Sequence, residues 1–145
     1  METLQQLTHR QVEALRVVAG RERTARGASL KEIAAGLRVR PSSALAHLGP
    51  LEELGLISRF RGKSRVTDKG RRTLDEYQRH HRVAETLFGS LGLGPEATCA
   101  AAHEIDLAIS HRTVDEICRA QRHPAACPHG APILPCRHSA SRRGG

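Results

Sequence analysis

Five side chains able to hold a metal recur at helical intervals in the second half of this 145-residue sequence. His81 and Glu85 are four residues apart, and Cys99, His103 and Asp106 follow at spacings of four and three. On α-helices each set projects from one face. Two such helices packed antiparallel would bring imidazole nitrogen, carboxylate oxygen and thiol sulfur together, a donor mixture suited to a divalent metal. Read singly, a His–Glu pair is also an ordinary surface contact, and a helical cysteine an ordinary core residue. Further on, Cys127 with His129 and Cys136 with His138 form two C-x-H pairs. Four such ligands would make a zinc clip, with a plain structural loop as the alternative. Cys118 shares a helix side with Val114 and Ile117 and reads as core.

The elements that must position these groups are mainly helical. The chain has no Trp, one Tyr and two Phe, so its core rests on Leu, Ile, Val and Ala, which favours helix against helix. A long helix is predicted from Asp68 to about Ser90, capped by Thr67 and broken at Leu91-Gly92-Leu93-Gly94-Pro95. Another follows from Glu96 to Ile109, and a last from His111 to Gln121 with Ser110 as its cap. Beyond His123, Pro, Gly, Cys, Ser and Arg prevail, which predicts an extended segment ending in a flexible tail over 136–145.

The first half carries a different pattern. A first helix is predicted over Gln6–Val18, and Gly20–Gly27 reads as a loop. Ser29 followed by Glu32 is a capping box, and Leu30, Ile33, Ala34 and Leu37 supply one buried stripe. Arg38-Val39-Arg40 forms a turn, and Pro41 suits the first position of a second helix, where its missing N–H is no loss. A bend is expected at Gly49-Pro50. Strands over Leu56–Phe60 and Arg65–Thr67 flank a tip at Arg61-Gly62-Lys63-Ser64. Helix, turn, helix and hairpin in this order describe a winged helix-turn-helix. The fold class is therefore mainly α: a winged helix-turn-helix domain at 1–72, then a helical dimerisation and metal-binding domain at 73–135.

If Ala44, Leu48 and Leu51 face the core, Ser42, Ser43, Leu45 and Ala46 face outward, forming a small, nearly uncharged surface that fits deep in a major groove. Arg40, Pro41 and those four residues are the candidate readers of double-stranded DNA, with Arg59, Arg61, Lys63 and Arg65 on the hairpin as phosphate or minor-groove contacts. Charge agrees. Residues 1–82 hold 17 basic and 9 acidic side chains, a surplus of +8, whereas residues 83–145 hold 6 of each. The N-terminus lacks the layout of a secretory signal, and no apolar run reaches the roughly 18 residues of a membrane span. A cytoplasmic protein with reduced thiols is expected.

The runs HRVAETLFGSLGL and HPAACPHGAPI, with VRPSSALAHLGPLEELGLI and VTDKG in the first half, resemble the metal-dependent repressors of the diphtheria toxin repressor and manganese transport regulator (DtxR/MntR) family. The resemblance spans about residues 8–135. It implies a homodimer of winged helices in which bound divalent metal raises affinity for a palindromic operator, with repression of metal-uptake genes. Its ligand positions fall on His81, Glu85, Cys99, His103, Asp106 and Leu107, and, near the N-terminus, on Arg10 and Glu13. Leu107 cannot coordinate, and Arg10 does not fit. On this reading His81, Glu85, Cys99 and His103 hold the metal, with Asp106 or Glu13 as further candidates. Thiolate and imidazole favour iron(II), with zinc, cobalt, nickel or manganese as alternatives. A rival reading makes the cysteines a redox switch on the same winged helix. An enzyme is the least supported class, since spacing places no catalytic carboxylate or nucleophile.

Overall fold

The computed structural model describes residues 1–21 and 26–136, which form two compact units, one of residues 6–74 and one of residues 1–5 with those from 75 onward. The first five residues thus group with the helical unit. Among the described residues, no helix is long and apolar enough to cross a membrane.

In the first unit, α1 spans His9–Gly20. It starts later than its apolar pattern suggests because Thr8 and Gln11 form a capping box that fixes the first turn, while Leu4–Gln6 makes a separate 3₁₀ turn. Helix α2, Leu30–Leu37, opens on the Ser29–Glu32 box: the Glu32 N–H donates to Ser29 Oγ at 3.2 Å and the Ser29 N–H to Glu32 Oε2 at 2.7 Å. We expect Ser29→Ala to cost about 1 kcal/mol, read as a lower urea midpoint with unchanged slope.

Helix α3, Pro41–Glu53, buries Ala44, Leu48 and Leu51. It continues through Gly49-Pro50 with no break in its assignment, contrary to the predicted irregular turn. The hydrogen bond that Pro50 cannot donate would have gone to the carbonyl of Ala46, a solvent-exposed residue, where water can replace it. Among the described residues the sheet has three strands, not two: β1 (Ala28–Ser29), β2 (Ile57–Phe60) and β3 (Lys63–Val66), in the order β1-β3-β2 and antiparallel throughout. The hairpin tip shrinks to Arg61-Gly62, since Phe60 pairs with Lys63 and both tip residues have positive φ, 48° and 74°. Such a two-residue turn matches strand twist better than a wider loop.

Helix α4 runs Asp68–Ser90 as predicted, with Gly70 N–H donating to its cap, Thr67 Oγ1, at 3.0 Å. In the second unit follow α5, Pro95–Ile105, and α6, His111–Ala120. Helix α5 ends four residues before the predicted Ile109. Here the Asp106 carbonyl accepts from His80 Nδ1 at 3.2 Å instead of continuing the helical ladder, and Ser110 caps α6. Past α6 the chain is not a loose extension: Cys127, Ile133 and Cys136 are buried in one apolar cluster with Val83, Val114 and Cys118. Cys136 therefore belongs to the core, not to a flexible tail, and residues 137–145 lie outside the described residues.

Candidate metal centre

Helix α4 gives His81 and Glu85 the i, i+4 relation their spacing implies, with His81 Nε2 3.2 Å from Glu85 Oε1. From α5, Cys99 brings its Sγ to 3.8 Å from the same His81 nitrogen. The ligand atoms of all three lie within 4.8 Å of one another. About 3.0–3.5 Å separates neighbouring donors around a metal with bonds near 2.1–2.3 Å, so the His81 nitrogen and Glu85 oxygen are already at coordination spacing and the Cys99 sulfur is a small side-chain movement from it. The residues fit a divalent transition metal.

Asp106 stands behind His81. It is fully buried, and its Oδ2 accepts from His81 Nδ1 at 2.9 Å. That bond fixes the imidazole tautomer and leaves Nε2 aimed at Glu85 and Cys99, the carboxylate–histidine arrangement that orients metal ligands. The same bond, followed by burial and the Glu85 charge, sets the His81 pKa: the Asp106 bond and Glu85 raise it and burial opposes them, with a net rise. Glu85 is 4% exposed. The Cys99 thiol is held above its ordinary range, by desolvation first and then by the Glu85 carboxylate.

His103 does not join this group. Its Nδ1 stands 4.0 Å from Asp106 Oδ2 with a half-exposed side chain. Leu107 is buried. Glu13 belongs to the other unit, where its carboxylate pairs with Arg10 at 3.0 Å.

The structure supplies a different neighbour. His129 Nδ1 lies 3.1 Å from Glu85 Oε1, and Glu85, Cys127 and His129 form a second donor trio sharing that carboxylate. The CPHG loop reaches it through a tight turn, with the Cys127 N–H donating to the Ala131 carbonyl and the Gly130 N–H to the Cys127 carbonyl, each at 2.9 Å. Pro128 rests on Gly89 of α4 so closely that a Cβ there would lie 2.9 Å from Pro128 Cγ. Gly89 thus lets the loop seat against the helix. The proposed clip of Cys127, His129, Cys136 and His138 is divided: the first pair faces Glu85, Cys136 sits with Cys118 and His123, and His138 lies outside the described residues. The CPHG motif was visible in the sequence, but nothing local said which acidic residue it would meet.

His80 was also missed by spacing. It is fully buried, with Nε2 2.6 Å from His111 Nδ1. Burial first, then His111, pushes its pKa down to about 4. It stays neutral, donating from Nδ1 to the Asp106 carbonyl and accepting at Nε2.

The candidate DNA contacts are placed on the first unit's surface. Arg40, Pro41, Ser42, Ser43, Leu45 and Ala46 are exposed at the start of α3, as are Arg59, Arg61, Lys63 and Arg65 on the hairpin. Arg59 pairs with Glu52 at 3.6 Å, and the Arg61 guanidinium lies 5.1 Å from the centre of the Phe60 ring.

Residues 67–135 match the family model for the iron dependent repressor metal binding and dimerisation domain, and residues 4–66 match that for the LexA DNA binding domain. The chain belongs to the DtxR/MntR family. Members are metal-dependent, DNA-binding transcriptional regulators, not enzymes. Among solved structures, this DtxR/MntR chain is similar to a hypothetical protein from Sulfolobus solfataricus, at 27% identity and a TM-score of 0.83 over 88% of this chain and 99% of that one. It is similar to T. acidophilum IdeR at 25% identity and a TM-score of 0.59, over 88% and 59% of the two chains. A manganese-dependent transcriptional repressor in complex with manganese matches at 30% identity and a TM-score of 0.64, over 86% and 57%. The chain therefore spans less than two thirds of the length of those two regulators. Comparison with curated proteins gave no match.

Proposed function

We propose that this chain is a cytoplasmic, homodimeric repressor whose affinity for a palindromic operator rises when a divalent transition metal binds at His81, Glu85 and Cys99, with His129 as a further ligand. The observation that carries the reading is the convergence of His81 Nε2, Glu85 Oε1 and Cys99 Sγ within 4.8 Å in a chain whose other unit is a winged helix. A bound metal would supply positive charge to a buried carboxylate. The protein does the rest. Asp106 presents the imidazole, Glu85 joins the helix donors to the CPHG loop, and Cys99 adds a soft ligand that favours iron(II) over manganese. Coupling needs only that the metal-bound arrangement differ in stability between DNA-competent and other dimer states. Two recognition helices would then meet successive major grooves about 34 Å apart. Ser42, Ser43, Leu45, Ala46 and the hairpin arginines are the proposed contacts, and metal-uptake promoters the proposed targets.

The test is a DNA mobility shift with chelator and with iron(II), manganese, zinc, cobalt or nickel restored in turn. We expect binding to fall at least tenfold with chelator and to recover most fully with iron(II). Equal binding in all conditions would refute metal control.

A further inference from the structure

Away from the Glu85 centre, a second set of soft ligands closes at the end of α6. Arg122 and His123 both adopt left-handed backbone, with φ of 61° and 56°, unusual for two successive non-glycine residues. The His123 N–H donates to the Cys118 carbonyl at 2.8 Å. This reversal lays the His123 ring beside the Cys118 side chain: Nδ1 is 3.6 Å from Cys118 Sγ and 3.2 Å from Cys136 Sγ. Both cysteines are buried, at 2% and 4% exposed, and the three ligand atoms lie within 4.8 Å of one another.

We propose that Cys118, His123 and Cys136 form a second metal site, binding zinc through two thiolates and one imidazole with water in the fourth position. The spacing supports it, because about 3.5 Å separates nitrogen from sulfur around a tetrahedral zinc with bonds near 2.05 and 2.3 Å. The fourth position has room: Cys136 also lines a solvent-open cleft with Glu76, Arg79, His111, Asp115 and Pro135. Arg79, held by Asp115 at 2.7 Å, faces the Cys118 thiol and offsets the negative charge of a dithiolate. On binding, each thiol loses its proton to solvent as its sulfur bonds the metal; no electron moves. A Cys118–Cys136 disulfide is the rival product. It would require an oxidant and would leave the imidazole, seated between the two sulfurs by a strained turn, without a role.

Such a site would fasten the segment after α6 to the second unit's core, independently of the Glu85 centre. Its test uses the full chain carrying Glu85→Ala and Cys99→Ala, purified without an affinity tag under reductant, loaded with zinc and desalted. We expect about one zinc per chain by elemental analysis, with Cys118 and Cys136 protected from alkylation while zinc is bound. Adding His123→Gln should weaken zinc binding at least tenfold, with helical content by circular dichroism unchanged. Should the double variant fail to fold, cobalt(II) titration of the otherwise wild-type chain decides: His123→Gln should remove one equivalent and its sulfur-to-cobalt absorption. No retained zinc, indifference to His123→Gln, or a Cys118–Cys136 disulfide found by mass spectrometry in freshly reduced protein would overturn the proposal.

Discussion

Glu85→Ala is expected to lower affinity for divalent metal by roughly 100-fold or more, beyond the 10–100-fold typical of losing an orienting partner. Among the described residues, Glu85 is the carboxylate that faces both His81 and His129, at 3.2 and 3.1 Å, so its removal takes a charged ligand from the centre of five donors. The loss should exceed that from Asp106→Asn, which leaves all metal-facing atoms in place and only loosens the His81 ring. Folding should survive, because alanine leaves no buried charge unpaired. Isothermal titration of metal-free protein with cobalt or zinc measures the difference. A Glu85→Ala variant within threefold of the parent would remove Glu85 from the site.

The second large effect is on stability. Gly70 sits in the first turn of α4, where an added Cβ would collide with the Leu56 carbonyl oxygen and lie 2.7 Å from Val66 Cγ2. The carbonyl is not free to retreat, since it accepts from the Thr67 N–H at 3.0 Å, while Thr67 Oγ1 donates to the Gly55 carbonyl at 2.6 Å and Lys69 Nζ to that of Leu54 at 2.7 Å. Moving one bond strains the others. Gly70→Ala should therefore cost about 3 kcal/mol, the upper end of ordinary overpacking, and lower the melting temperature of the winged helix by about 10 °C or more. Gly49→Ala is the control. A Cβ there meets nothing within 4 Å, and replacing a mid-helix glycine gains roughly 0.5–1 kcal/mol. Thermal melts followed by circular dichroism separate the two, and equal melting temperatures would contradict this account.

What the sequence disclosed follows from how far each interaction reaches. The Ser29–Glu32 box, the Thr67 cap, the buried Ala44–Leu48–Leu51 stripe and the His81–Glu85 pair are set within one or two helical turns, and residue types alone mark them. The two-residue tip escaped notice because it required Arg61, a residue that rarely takes positive φ, to do so. The short strand β1 is fixed by its pairing with β3, not by its own two residues. The Asp106 bond to His81 Nδ1 was not legible, because helical spacing tells which face a side chain occupies, not which atom on that face it meets. That His129 and Cys136 stand in different donor groups was hidden for a related reason. Composition after His123 suggests a loose segment, yet a few buried side chains, Ile133 and the two cysteines, return it to the core and decide which donors share a centre.

If the exposed face of α3, with two serines, a leucine and an alanine, reads operator DNA as proposed, it has a consequence for how targets evolve. A helix presenting such short side chains tells one base pair from another by small increments, near the lower end of the 1–3 kcal/mol usual for a mismatch. Its information must then be spread over many positions. Single substitutions in an operator would be tolerated, and new binding sites would arise by gradual drift. The set of genes under control could accordingly change faster than the protein that controls them.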